Sequence, residues 1–203
     1  LKAAADLGIL KLDIVGYVDI MTASDLLEEE KNYAGQYDHH LKLGGFKIFL
    51  DGSPQGKTAW MLEPYEGEKE YRGYPIHSNE KLREYIALSL DKGQQLLAHC
   101  NGDAAAEQYI SQFEKELEKR EKKDSCRAVM VHAQLVQEKQ LERMKALGMM
   151  PSFFVAHTYY WGDIHMKNFG AQRGSRSSPA KDAMDCGLPF TFHQDSPVVP
   201  PDM

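Results

Sequence analysis

Several side chains that can bind a metal or transfer a proton lie at or near the ends of short apolar segments. They are Lys47, Asp51, His99, His132, His157, His193 and Asp195. The intervals from the lysine through His99 and His132 to the last aspartate are 52, 33 and 63 residues, which suit ligands drawn from separate strand–helix units. Because divalent metals bind imidazole and carboxylate groups well, the pattern favours a metal site. Any one of these histidines, taken singly, is more often a hydrogen-bonded strand-end residue.

The segment Leu188–Pro197 brings two of these groups closest together in the sequence. Its β-branched and aromatic residues predict a buried strand. Alternation along that strand puts Thr191, His193 and Asp195 on one face. An imidazole and a carboxylate would then lie side by side just before a proline-rich turn. This arrangement suits metal binding or acid–base chemistry, and it suits a plain hydrogen-bonded pair equally well.

Alternating strands and helices must position these groups. We predict six strands, near residues 10–20, 44–51, 94–99, 127–132, 149–156 and 188–195, and helices near 1–8, 26–30, 79–92, 102–123, 136–147 and 180–186. Strands that are apolar throughout are typical of a parallel sheet covered by helices, where active sites form at the carboxyl ends of the strands. Residues 53–78 are predicted to be a long functional loop, and residues 157–178 a polar, aromatic loop.

Length and composition exclude several classes of protein. The 203 residues suit one domain, and a net charge of −6 argues against a nucleic-acid partner. The basic cluster Lys119–Lys123 is interleaved with glutamates and reads as a solvated helix end, and the adjacent pair His39 and His40 is placed on the surface. No apolar run approaches the roughly 20 residues of a membrane span. Three scattered cysteines indicate reduced thiols and a cytoplasmic protein.

Four motifs, in this order along nearly the whole chain, resemble those of the amidohydrolase superfamily. They are Lys47-Ile-Phe-Leu-Asp-Gly-Ser53, Ala98-His-Cys-Asn-Gly-Asp103, Val131-His-Ala-Gln134 and His193-Gln-Asp-Ser-Pro-Val198. The branch that they resemble includes N-substituted formamide deformylases and proteins described as exoenzyme-regulatory. No glycine-rich nucleotide-binding turn competes with this interpretation.

The resemblance implies a metal-dependent hydrolase on a (β/α)8 TIM barrel, with residues 1–203 as a partial catalytic domain of about six of the eight strand–helix units. It implies that His99, His132 and Asp195 bind a divalent metal, most simply zinc, and that Asp195 is also the catalytic base. Lys47 takes the position of a lysine that some relatives carboxylate, and a second metal ion would require that modification. An unmodified Lys47 would instead be a buried lysine paired with Asp51 or Asp195.

The sequence also departs from the family pattern. Val131 stands where relatives often have glutamate, and His-Gln-Asp replaces the usual Gly-Ser-Asp, which makes His193 an additional imidazole. The His-x-His motif of the first strand is absent. We therefore expect the chain to be a fragment of a longer hydrolase, inactive by itself, whose open barrel edges would favour a homo-oligomer.

The expected reaction is hydrolysis of a carbon–nitrogen bond in an amide-like, non-peptide small molecule by a metal-activated water. His157 would bind substrate or stabilise the oxyanion. The candidate substrate-binding residues are Asp51, Tyr160, Trp161, Arg173 and His193. For the aromatic residues, packing within the loop is an equally good explanation, and Arg173 could either bind an anionic group or solvate the loop.

Two other functions remain open. The chain could be a non-catalytic binding or regulatory domain derived from an amidohydrolase. Alternatively, it could belong to a metal-free barrel enzyme in which Lys47 forms a Schiff base. The second alternative leaves the histidines at the strand ends without a role.

Overall fold

A parallel sheet of six strands forms the centre of the protein, as a computed structural model covering residues 1–122 and 124–200 shows. The strands are β1 (Ile14–Asp19), β2 (Leu41–Phe49), β3 (Gln95–Cys100), β4 (Val129–His132), β5 (Met150–Phe153) and β6 (Thr191–Phe192). Each pairs with the next in sequence, in the order β1-β2-β3-β4-β5-β6. The sheet curls into a half-barrel, which confirms the predicted incomplete α/β barrel.

Seven helices accompany the strands in the described part of the chain. They are α1 (Lys2–Asp6), α2 (Leu26–Glu29), α3 (Asn79–Asp91), α4 (Asp103–Glu118), α5 (Glu138–Leu147), α6 (Ala156–Gly174) and α7 (Ala180–Asp185). Local sequence signals set several of their ends. Ser78 caps α3 by accepting a hydrogen bond from the Lys81 amide, and Gly148 ends α5 with a left-handed φ of 68°. None of the described helices is long and apolar enough to cross a membrane.

The hydrophobic core lies between the convex face of the sheet and the helices. Alternation along β3 shows the division, because Leu96, Ala98 and Cys100 are buried whereas Leu97 and His99 face the concave side and are partly exposed. The core side of the other strands carries Phe46, Ile48, Met130 and Phe153, all at most 1% exposed. The concave face carries polar groups such as His99 and Lys47 beside apolar residues such as Leu97.

The segment that follows β5 corrects one of our predictions. Residues 157–178, predicted as a loop, are mostly the 19-residue helix α6, with a non-helical kink at Gly170 (φ 74°). This helix has no continuous apolar stripe, since its buried face includes His157, His165 and Asn168 while Ile164 and Met166 are exposed. The periodicity that identifies amphipathic helices is consequently missing.

Residues 53–78 form the long loop that we predicted. No helix or strand occurs in this segment, but its backbone is anchored from several sides. Asp51 accepts from the Trp60 amide and Asp103 from the Leu62 amide, while Asn168 donates to the Pro54 carbonyl. Within the segment, the side chains of Ala59, Met61 and Tyr65 are buried.

Helix α4 and strand β6 are shorter than predicted. Helix α4 ends at Glu118, and Lys123, which we placed in that helix, lies outside the described residues. Strand β6 contains Thr191 and Phe192 alone, so His193 and Asp195 follow the strand rather than lie within it. His39 and His40 are exposed, as predicted, and both have positive φ angles.

Candidate metal centre

Three imidazole rings, from β3, from β4 and from the segment after β6, form a continuous chain at the carboxyl edge of the sheet. His132 Nε2 lies 3.0 Å from His99 Nδ1, and His132 Nδ1 lies 3.3 Å from His193 Nε2. The ring centroids of His132 are 4.5 Å and 5.0 Å from those of His99 and His193. The sheet brings these histidines together although they are far apart in the sequence.

The backbone at His132 is unusual and accounts for its position in this chain of rings. His132 ends β4 beside Cys100 of β3, and strict alternation would direct it to the core side with Met130. Its φ is 72° and that of Ala133 is 45°, left-handed values that cost a residue with a β-carbon about 1–3 kcal/mol. Such strain clusters at functional sites, where the surrounding structure enforces it.

Asp195 completes a group that can hold a metal ion. Ligand atoms of His132, His193 and Asp195 all lie within 4.8 Å of one another. Asp195 also has a left-handed φ of 58°, so two members of this group have strained backbones. Two imidazoles and a carboxylate, with His99 in contact with His132, fit the donor preferences of a divalent cation such as zinc.

Polar groups behind the histidines fix the orientation of their rings. His99 Nε2 is 3.0 Å from the Gly52 carbonyl oxygen and 3.0 Å from Asn101 Nδ2. His193 Nδ1 is 2.9 Å from Ser152 Oγ, a residue of β5. Such contacts hold the two rings in place for a metal.

Burial keeps these imidazoles neutral, the form in which they bind metals. It lowers the pKa of His99 to about 4 and that of His193 to about 4. The pKa of His132 is lowered further by burial and then by the neighbouring His99 and His193. Burial raises the pKa of Asp195, and the nearby Lys47 opposes that shift.

Lys47 lies on the concave face of β2 and lines a cavity of about 500 Å³ together with His193 and Asp195. Burial lowers its pKa to about 8. Its ammonium is 5.2 Å from the centre of the Phe49 ring. Among the described residues no ion pair within 4 Å joins Lys47 to Asp51 or Asp195, so the predicted structural pairing does not form.

His157 lies in the first turn of α6 rather than at a strand end, and it is buried beside the histidine cluster. Its ring is 5.8 Å from that of His132 and nearly parallel to it, and Trp161 lies 5.2 Å away on another side. Its Nδ1 is hydrogen-bonded to Gln134 Oε1. Burial lowers the pKa of His157 to about 3.

Two predicted substrate-binding residues are engaged elsewhere. Asp51 is 1% exposed, and its carboxylate accepts from the backbone amides of Trp60, Asn101 and Gly102, although burial raises its pKa to about 7. The Arg173 guanidinium donates to the carbonyl oxygens of residues 169, 63 and 64. Both side chains hold the protein backbone together through these hydrogen bonds, and their role in substrate binding stays a prediction.

The aromatic residues of α6 divide into two groups. Trp161 contacts His157 and Phe154, so it belongs to the wall of the site. Tyr160 is 44% exposed and contacts Trp161, with ring centroids 5.7 Å apart, which places it one layer farther out.

Four residues around the centre were not among the predicted site residues. They are Asn101, Gln134, Ser152 and His165. Asn101 and Gln134 stand two residues after His99 and His132, inside motifs that already pointed to the site. Ser152 could have been found as a polar residue in an otherwise apolar strand, whereas His165 had no sequence signal because α6 was not recognised as a helix.

Comparison with known proteins finds amidohydrolases and metal-dependent hydrolases among the proteins similar to this chain. A family model described as "Amidohydrolase family" matches residues 2–203. YtcJ of Bacillus subtilis (strain 168), named as an amidohydrolase, is 29% identical over 184 residues, covering 89% of this chain and 33% of YtcJ. LONG AFTER FAR-RED 3 of Arabidopsis thaliana is 26% identical over 162 residues, covering 80% of this chain and 28% of that protein. The chain thus spans about a third of these relatives.

Solved structures show the same fold. An uncharacterized metal-dependent hydrolase from Pyrococcus furiosus superimposes with a TM-score of 0.83 at 26% identity, covering 98% of this chain and 40% of that protein. Its counterpart from Pyrococcus horikoshii OT3 gives a TM-score of 0.82 at 24% identity, covering 98% and 39% of the two chains.

Proposed function

We propose, from the premise that this chain belongs to the amidohydrolase family, that the whole protein hydrolyses carbon–nitrogen bonds of non-peptide, amide-like small molecules with a divalent metal. The observation that carries this proposal is the cluster of His132, His193 and Asp195, with His99 in contact with it. The chain spans about a third of its curated relatives, so the proposal concerns the whole protein.

The metal that we propose is zinc, held by His132, His193 and Asp195, with His99 as a further imidazole at the centre. Neutral imidazoles and one carboxylate are the ligand types typical of catalytic zinc sites. When bound, such an ion polarises a carbonyl group and lowers the pKa of water toward neutrality. A second ion would require Lys47 to be carboxylated, because an ammonium group cannot coordinate a cation.

Asp195 is the proposed proton carrier. It lies beside His132 and His193, and together with Lys47 it lines the concave cavity that a substrate would enter. In the proposed reaction its carboxylate takes a proton from the attacking water and passes that proton to the leaving amine. The Ser152 contact holds His193, and Asn101 holds His99, so both rings keep their places while the proton moves.

The walls of the cavity indicate the substrate. Leu97, Val129 and Met150 line its floor, and Tyr17 of β1 lies across from Thr191 of β6. Trp161 lies against His157 above the histidine cluster. An amide with an apolar or aromatic part would fit this combination of an apolar floor and polar edge.

Residues 1–203 alone are proposed to be inactive, with a non-catalytic binding role as the alternative for this part of the protein. In the described residues the sheet is open between β1 and β6, which do not pair with each other. The exposed side chains of Val15 and Phe192 are consistent with surfaces that another part of the protein or a second copy covers. Three free cysteines are consistent with a reducing compartment such as the cytoplasm.

The test uses the whole protein and compares Asp195→Asn with Asp163→Asn. Asp163 is an exposed aspartate of α6, so the second variant changes the same functional group away from the site. We expect the purified protein to contain zinc, and the first variant to lose roughly 100- to 10,000-fold in amide hydrolysis. Unchanged hydrolysis in Asp195→Asn would exclude the assigned base, and wild-type rates from residues 1–203 alone would exclude their inactivity.

A further inference from the structure

One buried carboxylate lies between the candidate metal centre and the long loop that follows β2. Asp51 is 1% exposed and stands just after the end of β2. Its carboxylate accepts hydrogen bonds from the backbone amides of Asn101 and Gly102, at 2.9 and 2.7 Å, just after β3. It also accepts from the Trp60 amide of the 53–78 loop at 2.9 Å. The ends of two strands and the loop therefore meet at this side chain.

Two polar contacts that hold the His99 ring come from residues next to Asp51 or bonded to it. The Gly52 carbonyl oxygen is 3.0 Å from His99 Nε2, and Asn101 Nδ2 donates to that same oxygen at 2.8 Å. Asn101 Nδ2 is also 3.0 Å from His99 Nε2. On the other side of the ring, Nδ1 faces His132 Nε2 at 3.0 Å. The edge of His99 that faces the candidate metal centre is consequently positioned by Gly52 and Asn101.

The 53–78 loop packs directly on the same turn. The Gly52 amide donates to the Thr58 carbonyl oxygen at 3.1 Å, and a β-carbon at Gly52 would lie 2.1 Å from Thr58 Oγ1. Farther along the loop, Trp60 is bonded to Asp51. Movement of the loop away from this turn would therefore release both the Asp51 carboxylate and the Gly52 carbonyl group, and the His99 ring would lose its support.

We propose that Asp51 is a positioning residue that couples the 53–78 loop to the metal centre, by holding Gly52 and Asn101 against His99. This inference rests on the proposed function, because it concerns the metal that the proposed reaction uses. The Asp51 carboxylate acts through His99, since its oxygens are already bonded to backbone amides. Coupling of this kind is reciprocal: a loop bonded to Asp51 raises the affinity for zinc, and bound zinc holds the loop in place by the same factor.

The zinc affinity of the whole protein, measured by competition with a chelator, tests this coupling. Asp51→Asn keeps the size of the side chain, but its NH2 group cannot accept, so at least one backbone amide loses its partner. We expect about tenfold weaker zinc binding, the lower end of the roughly 10- to 100-fold loss seen when groups behind a ligand are removed. With Co2+ in place of zinc, the visible absorption of the bound ion should also change, which loss of a purely structural residue would not cause.

Asp103→Asn is the matched control. Asp103 is 5% exposed and also accepts from a loop amide, that of Leu62, at 2.8 Å. Its other oxygen accepts from Gln137 rather than from a residue beside His99. This replacement loosens the loop without removing the bonds of Asp51, so zinc affinity should change by less than about twofold and the Co2+ absorption should stay as in the wild type.

Hydrogen exchange of the wild-type protein provides a measurement that does not depend on the folding of a variant. If breaking the Asp51 bonds lowers zinc affinity about tenfold, saturating zinc must make that local opening about tenfold rarer. Exchange of the Trp60 amide should therefore slow about tenfold more than exchange of the Leu62 amide, whose acceptor is Asp103.

The outcomes separate the failure of this inference from the failure of the proposed function. Equal zinc affinity in Asp51→Asn and the wild type would overturn the coupling and leave the metal centre intact. Equal slowing of exchange at Trp60 and Leu62 would overturn it as well, and this comparison decides the matter if Asp51→Asn does not fold. If the wild-type protein binds no zinc, the proposed metal centre is overturned, and the coupling with it.

Discussion

Replacing Gly102 with alanine should severely destabilise the protein without any strain at its own backbone. Gly102 is the residue before helix α4, with a φ of −81° that any residue adopts. A β-carbon there would lie 1.9 Å from the Trp60 carbonyl oxygen and 2.5 Å from its carbonyl carbon. These are backbone atoms of the 53–78 loop, so no flexible side chain can move aside.

The cost can be worked out from the contacts that must break. The Trp60 oxygen would have to retreat by about 1.5 Å, from 1.9 Å to the 3.4 Å of an ordinary contact. That oxygen accepts from the amides of Ala104 and Ala105 at 3.1 and 3.4 Å, and the Trp60 amide donates to Asp51. Losing two such bonds and leaving buried groups unpaired costs roughly 3–5 kcal/mol.

Urea unfolding of the whole protein, followed by circular dichroism, measures this cost. Gly162→Ala is the matched control, because a β-carbon at Gly162 in α6 meets nothing within 4 Å. We expect the control to be neutral or up to about 1 kcal/mol more stable, since alanine favours a helix over glycine. A loss below about 1 kcal/mol in Gly102→Ala would refute the claim that this close approach holds the loop against α4.

Four further changes probe the centre and the network of ion pairs. Zinc affinity can be measured by competition with a chelator. Ser152→Ala should reduce it by about 10- to 100-fold, because Ser152 only orients the His193 ring. His193→Ala removes a proposed ligand and should reduce the affinity further. Removing the metal should lower the Tm, and adding zinc back should raise the Tm with the logarithm of the free zinc concentration. A Tm that does not depend on zinc would contradict a metal site in the folded protein. Burial alone would raise the pKa of Glu107, but hydrogen bonds, led by the one from Arg143, lower that pKa overall. The ionised Glu107 therefore stabilises the folded protein above the pKa that it has in the unfolded chain, and this stabilisation is lost as the pH falls. Glu107→Gln should therefore destabilise at pH 7, by less than about 1 kcal/mol for this partly exposed group, and should lose that effect near pH 3.

The strands were predictable as short apolar runs separated by helices or loops. Their order followed from the resemblance to a barrel family, because strands of a β/α barrel pair in sequence order, and the observed order agrees. Helix α6 was not predictable by the same means. Its buried positions are occupied by His157, His165 and Asn168, whose polarity conceals the helical period.

The position of the site was predictable in part. The carboxyl ends of β3 and β4 and the segment after β6 were identified, and the structure brings His99, His132, His193 and Asp195 together there. The left-handed backbone that turns His132 toward its neighbours could not be read from the sequence, because a non-glycine residue gives no local signal for it. The sequence suggested Asp51 as a substrate-binding residue or a partner of Lys47, and it gave no sign that the Asp51 carboxylate accepts hydrogen bonds from three backbone amides.

The 53–78 segment has a consequence for limited proteolysis. The segment has no helix or strand, so a protease would be expected to cut the chain there first. Cleavage requires the segment to unfold locally, and here that would detach Trp60 from Asp51, Leu62 from Asp103 and the buried Tyr65 ring from Phe169. The segment acts as a folded layer over α4 and α6, and first cuts should fall outside it.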